Sequence, residues 1–537
     1  MSFFSDKQLH RYRWFALFIL ALGLAIVIID GTVLNVSLPY IIRDLNTSLS
    51  ALEWVLSGYA LIISALLITS GRLGDMYGRK RIFLLGVTLF AAGSFIASEA
   101  TNVLYLFLGE AIIEAIGASM MITSSLSLLV NEFSGKERAV AFGIWGAVAG
   151  GASALGPLLG GYLTTFHSWR WSLRINVFIG ILVLLGSVFI KETKGDASKK
   201  FDWPGTATSS LGMFSLVFAL IEGQKLGWWA PKTDLSFAGW QWPLQTVSII
   251  PFALMAAAYF ISLFIYIEKR AEANGGSPLL QLSIFKNKAF SFGLTVLLLL
   301  SLSQMGVFFI LPIFLQSALD MTPLNVGIML LSSSVSSFIA GSISGLLANR
   351  LSLKKVILLG IGFLTCGIVL LIDSLSLNMT SLTLAPALII YGIGIGTSSA
   401  QLTNLILSSA PAALAGESSA INATARQLGA SFGISLIGLI FSSSLTFNFA
   451  ENIRQDPTIP PIPKYFISSG VSEGEIRSLT GNETGTQEFS PLEISIRRAQ
   501  SNASLAATKN SLIFSGLVML VVLIIAAFMP AHKREGS

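Results

Sequence analysis

The chain has 537 residues, 53% of them hydrophobic and 12% charged, with a mean hydropathy of +0.74. Soluble domains carry about 25% charged residues, so this composition excludes a soluble globule and points to an all-α integral membrane protein. One Cys excludes an internal disulfide, and three His are too scattered for a metal site. The net charge of +6 reads as basic loops beside a bilayer, not as a nucleic-acid surface.

A spanning helix needs about 20 mainly apolar residues. The N-terminal "MSFFSDKQLHRYRWF" leads into an apolar stretch, 14–39, that is longer than a signal core and lacks a small-residue cleavage pattern. It is expected to be a retained first helix, with Asp30 inside it. Helices follow at 51–71 and 82–99, separated by "GRLGDMYGRKR" (Gly71–Arg81). The fourth, 102–130, contains "LGEAIIEAIG", which puts Glu110 and Glu114 one turn apart on one face. The fifth, 140–166, is rich in glycine. Further spans are expected at 173–190, 204–224, 246–267, 290–318, 324–347, 354–374, 382–408, 418–447 and 509–530. Fourteen crossings place both termini on one side. The short loops on the opposite side hold only Arg43, Arg170, Arg174, Lys225 and Lys232, whereas basic clusters such as Arg79-Lys80-Arg81 and Lys354-Lys355 fill the near side. Positive residues accumulate in the cytoplasm, so both termini are expected there. The polar segment 448–508 is expected to be one long extracytoplasmic loop, either an ordered outer cap or a mobile linker.

"GLLANRLSLKK" (Gly345–Lys355) aligns with Gly71–Arg81, matching Gly71 with Gly345, Leu73 with Leu347 and Asp75 with Asn349. Parallel repeats with a substrate site between them are a transporter arrangement. The expected organisation is therefore two six-helix bundles, 14–190 and 290–530, joined by a linker, 191–289, that adds two more helices.

Gly71–Arg81 resembles the signature loop of the major facilitator superfamily. "WGAVAGGASALGPLLGGYL" (Trp145–Leu163) resembles the glycine-rich antiporter motif of its drug-export branches. "IDGTVLNVSLPYI" (Ile29–Ile41), "SWRWSLRINVFIG" (Ser168–Gly180) and "RQLGASFG" (Arg426–Gly433) resemble the fourteen-helix drug:proton antiporter branch. The resemblance covers about residues 14–447 and implies two six-helix bundles plus an inserted pair. It implies a gating latch made by Gly71, Arg72, Gly74, Asp75, Gly78, Arg79 and Lys80, in which Asp75 pairs with Arg79 or with a helix N-terminus of the other bundle. It also implies that Gly146, Gly150, Gly156, Pro157, Gly160 and Gly161 seal the cavity against proton leak. Small residues four apart let helices approach closely in any case, and Pro157 is expected to bend its helix.

A carboxylate at the centre of an apolar helix costs about 2.5–3.5 kcal/mol and needs a cavity or a partner. At 1.5 Å per residue, Asp30 lies roughly 13 Å and Glu110 roughly 12 Å from the outer helix ends, with Glu114 a turn deeper. In the superfamily the first and fourth helices line a central cavity, so the three acids are expected to meet there, to titrate as a coupled group and to bind protons or a cationic substrate. The chain departs from the branch pattern at one point. Aligned on "IGAS" (Ile116–Ser119), Ala111 occupies the usual Arg position and Glu114 the usual Gln position. Arg426 is expected to make a contact between helices. By analogy, Gln304, Met305, Phe308, Gln316, Tyr391, Gln401 and Asn404 line the second half of the cavity, where aromatic faces suit lipophilic cations.

No GxxxxGK[ST] loop and no Ser–His–Asp set are present. The expected protein is not an enzyme and needs no cofactor. It is a monomeric, proton-driven exporter of lipophilic, cationic small molecules in the cytoplasmic membrane. The rival readings are a dedicated transporter of a metabolite, siderophore or lipid, and a sensor or scaffold that keeps the fold without transport.

Overall fold

The computed structural model describes residues 12–194, 201–233, 236–237, 240–244, 246–456 and 491–530. The first six long helices are α1 (Arg13–Asp44), α2 (Leu49–Tyr77), α3 (Arg79–Ser98), α4 (Val103–Glu132), α5 (Gly135–Phe166) and α6 (Trp169–Gly186). Two linker helices, α7 (Trp203–Leu226) and α8 (Ile250–Ala273), flank a short antiparallel ribbon that pairs Ser236–Phe237 with Trp240–Gln241. The second set comprises α9 (Lys288–Ser317), α10 (Pro323–Arg350), α11 (Leu353–Ser374), α12 (Ser381–Ser408), α13 (Ala415–Gln455) and α14 (Pro491–Ala527). Among the described residues, thirteen helices are long and apolar enough to cross a membrane. The glycine-rich α5 is a further helix of 32 residues packed among them.

Each set has its own apolar core. Phe83, Phe90, Met121, Phe142 and Trp145 anchor the first, and Phe290, Phe314, Ile361, Leu364 and Leu402 the second. The repeated stretches fall at equivalent places, between α2 and α3 and between α10 and α11. In the first copy Gly78 sits at φ +112°, a backbone conformation that a side chain rarely adopts. There the Glu192 carboxylate accepts from the backbone N–H groups of Lys80 and Arg81, at 3.0 and 3.2 Å, at the N-terminus of α3. At the opposite end of α1, Asp44 pairs with Arg170 and accepts from Trp169 Nε1 at 3.0 Å. Those hydrogen bonds hold its carboxyl below the usual carboxylate range. The pair's contribution is thus present above about pH 4 and fades only as pH falls through the lowered value.

The expectation of one polar loop over 448–508 is corrected at both ends. Helix α13 continues to Gln455, and α14 begins at Pro491. At 41 residues, α13 is about 60 Å long, twice the roughly 30 Å hydrocarbon core of a bilayer. The polar composition hides a narrow seam. Ile453 packs against Ile496 and Ala499, with Phe449 beside them, and Asn452 Nδ2 donates to the Ala499 carbonyl at 3.1 Å. A helix pair needs only such a stripe to associate. The interval 457–490, including the acceptor-like Asn482-Glu-Thr, lies outside the described residues.

Truncating a buried Ile to Ala costs about 2–5 kcal/mol. Ile453→Ala should therefore release this paired extension, seen as lost hydrogen-exchange protection over 449–455 and 494–500, with protection of the spanning cores unchanged.

Candidate functional site: a buried carboxyl cluster and a closed gate

Helix α4 is irregular where its two acids sit. Residues Phe107–Glu114 form a π-helical stretch between α-helical flanks, a widened turn that recurs at functional positions. Close backbone contact with α3 holds it in place. A Cβ on Gly93 would stand 2.6 Å from the Glu114 nitrogen and the Gly109 carbonyl, and one on Gly117 would stand 2.5 Å from the Phe90 nitrogen. Only glycine permits that approach.

The structure brings Asp30, Glu110 and Glu114 together, with one oxygen of each within 4.8 Å of the others. Exposure is 0%, 1% and 0% respectively. Asn176 of α6 holds the group: its Nδ2 lies 2.7 Å from Asp30 Oδ1, 3.2 Å from Ser94 Oγ and 3.4 Å from Glu114 Oε1. The second oxygen of each acid and Asn176 Oδ1 have no hydrogen-bond partner. Among the described residues, none of the ion pairs involves these acids. An all-oxygen set of this size suits protons or a hard cation.

Two points differ from the sequence expectation. The acids do not line an open chamber: they are sealed inside the first bundle, in contact with Ser94 of α3 and Asn176 of α6 as well as with each other. Neither Asn176 nor the π-helical turn was anticipated. The glycines at 86, 93, 109 and 117 were the available signal for the α3–α4 contact.

The signature loop makes a network of buried contacts with the second bundle. Arg79 donates to Asp75 Oδ1 from Nε and Nη2 at 2.9 and 2.7 Å, with both residues buried. Asp75 also accepts from the backbone N–H of Glu417, in the first turn of α13, where a carboxylate is favoured by the helix dipole. Arg72 lies 3.6 Å from Glu417 Oε1. Gly71 faces the Gly416 carbonyl, 2.7 Å from where its Cβ would be. Lys80 turns instead to the Ile190 carbonyl at 2.8 Å. The second copy mirrors this: a Cβ on Gly345 would meet Val140 Cα at 2.5 Å and the Ala139 carbonyl at 2.6 Å, near the start of α5.

Helix α5 is continuous and divides its glycines between two tasks. Gly146 meets Ala400 of α12, 2.7 Å from its would-be Cβ, while a side chain on Gly156 would overlap Thr32 of α1. Gly160 lies against Val33, also on α1. The side chains of Gly150 and Pro157 lie outside the described set.

The second-bundle candidates disperse. Gln401 is a bundle-to-bundle contact, donating to the Ala139 carbonyl at 3.2 Å and to Ser344 at 3.0 Å, with Asn404 bonded to it at 3.3 Å. Tyr391 is buried in the second core against Phe308. Gln304 donates to Ser399 at 3.2 Å. Gln316 bonds back to the Pro312 carbonyl at the exposed end of α9, and Met305 is exposed. Arg426 donates to Thr403 at 3.0 Å, a contact between α13 and α12.

Residues 20–434 match the profile described as Major Facilitator Superfamily. The chain belongs to that superfamily. It is a multi-span membrane protein of a transporter family, not an enzyme. It is 31% identical over 80% of its length to the "Probable actinorhodin transporter" of Streptomyces coelicolor, covering 72% of that protein. It is 28% identical over 83% of its length to "Multidrug resistance protein Stp" of Mycobacterium tuberculosis, covering 79%. The human organic anion transporter MFSD10 shares the fold at a TM-score of 0.57 and 12% identity, over 95% of this chain and 99% of that one.

Removing one partner of a buried ion pair costs about 3–5 kcal/mol. Arg79→Ala, which strands Asp75, should therefore lower the melting temperature of the detergent-purified protein clearly more than Arg79→Ala combined with Asp75→Asn.

Proposed function

We propose that this transporter is a proton-coupled exporter of lipophilic compounds that works by alternating access in a cytoplasmic membrane, with fourteen crossings and both termini inside. The observation that carries the reading is the buried carboxyl cluster. Three negative charges within 4.8 Å, without a base, would be too costly to keep ionised together in a low-dielectric interior. The cluster is thus a store for protons that the protein fills and empties as it changes conformation. Inward movement of one proton at 100 mV supplies about 2.3 kcal/mol before any pH gradient.

The contacts at Gly71, Gly345, Gln401 and Gly146 all join the bundles at the end that carries the basic loops. With those loops inside, the gate is closed toward the cytoplasm. Because the acids are sealed within one bundle, protons and substrate do not compete for the same oxygens. Coupling runs through α1 and α4 instead: α1 packs on the upper half of α5, whose lower half meets the other bundle. The cation preference expected from an acid-lined cavity loses its basis.

A dedicated transporter of an endogenous metabolite, siderophore or lipid is the second reading. It is favoured by relatives named as an actinorhodin transporter and as the "Riboflavin transporter RibZ" of Clostridioides difficile, the latter 28% identical over 82% of this chain and 90% of that one.

Purified protein in weakly buffered detergent should release protons when an exported dye or antibiotic binds. The Asp30→Asn, Glu110→Gln, Glu114→Gln triple variant should bind the compound without that release. Unchanged release from the triple variant would contradict the site, and compound export from cells undiminished by an uncoupler would contradict proton drive.

A further inference from the structure

The segment that joins the linker to the second bundle runs across the closed gate. Leu279 and Leu280 are buried, and the N–H of Leu280 donates to Glu268 Oε2 at 3.0 Å near the end of α8. Glu268 is itself 0% exposed and faces Asp202 across Gly205. One residue on, the N–H of Gln281 donates to Glu417 Oε2 at 3.0 Å. The other oxygen of Glu417 faces Arg72, and its own N–H serves Asp75. Farther along, Asn287 Nδ2 donates to the Ser409 carbonyl at 2.8 Å. Glu417 thus joins the first bundle, the second bundle and the linker at one carboxylate.

The linker's other end holds the first bundle. Along α7, Ser210 donates to the Ala65 carbonyl at 2.9 Å, Glu222 accepts from Ser57 at 2.6 Å, and Lys225 pairs with Glu53, all on α2. Gln224 reaches across to the Gly438 carbonyl of α13 at 2.9 Å. The linker is therefore attached to both bodies that must separate when the gate opens.

We infer that segment 279–281 is a third component of the gate, and that Glu417 is the positioning residue through which the linker holds α2 and α13 together. The inference rests on the alternating-access reading but not on proton coupling. A backbone hydrogen bond to a carboxylate is among the stronger ones, and its loss shifts a two-state equilibrium by roughly tenfold or more.

Gln281 has φ −78°, which proline adopts without strain. Gln281→Pro removes the N–H donor alone, and Gln281→Ala keeps it. The reporter is Ser419→Cys in a Cys366→Ala background, since Ser419 is buried two residues beyond Glu417 and its hydroxyl has no partner. Full-length protein in inside-out vesicles is treated with a membrane-impermeant maleimide. Gln281→Pro should be labelled about tenfold faster than Gln281→Ala. Equal rates would overturn the inference. If the proline variant does not purify as a folded protein, Glu417→Gln, which still accepts from Gln281, should be labelled several-fold more slowly than Glu417→Ala; equal rates there would overturn it as well. A normal labelling contrast in a protein that shows no substrate-induced proton release would fault the proton-coupling reading alone.

Discussion

Three carboxyl groups held inside an apolar bundle, with no base among the described residues to neutralise them, are the constraint on which the rest of this transporter depends. A membrane interior does not tolerate such a group in fixed, fully ionised form. Asn176 offers one amide to Asp30, Glu114 and Ser94, too few donors for the six oxygens of the three acids. Protons are the simplest means of satisfying the remainder. In the proposed mechanism the site is therefore sensitive to any motion that admits water, and α1 and α4 carry that sensitivity to the substrate path.

The bundle contacts suit such motion because they are made by backbone and small side chains. Gly71 on Gly416, Gly345 on Val140 and Gly146 on Ala400 are close approaches of this kind. Specificity comes from a few buried charges, chiefly Asp75, Arg79, Arg72 and Glu417. Such groups are costly to leave unpaired, so under the proposed alternating access fully closed and fully open arrangements are favoured over intermediate ones. The pseudo-twofold relation of the two repeats is visible here as contact, with each leading glycine resting at the start of the fifth helix of the opposite set.

Much of this was legible in the sequence because membrane spans obey a length rule and gating loops need glycine and charge at fixed spacing. Depth counting placed Asp30 near Glu110, and the acids do meet. What the sequence did not show was which side of α1 and α4 they occupy. That depends on the close α3–α4 approach at Gly93 and Gly117 and on the π-helical turn, both products of packing between helices distant in the chain. Tyr391 and Gln401 were misplaced for the same reason, since a polar residue in a span can face a cavity, a core or the other bundle. The 448–508 ends were missed because a seam of four apolar side chains is invisible in a window dominated by polar residues.

The central claim is that the cluster carries protons while the gate is closed at the basic-loop end. Infrared spectroscopy of the purified protein at neutral pH tests it most directly, by following the carbonyl stretch of protonated carboxyl groups. The account predicts a band that shrinks in each of the single amide variants of Asp30, Glu110 and Glu114 and is slow to shift in deuterated buffer. A spectrum at neutral pH with carboxylate bands only, unchanged by those substitutions, would contradict it.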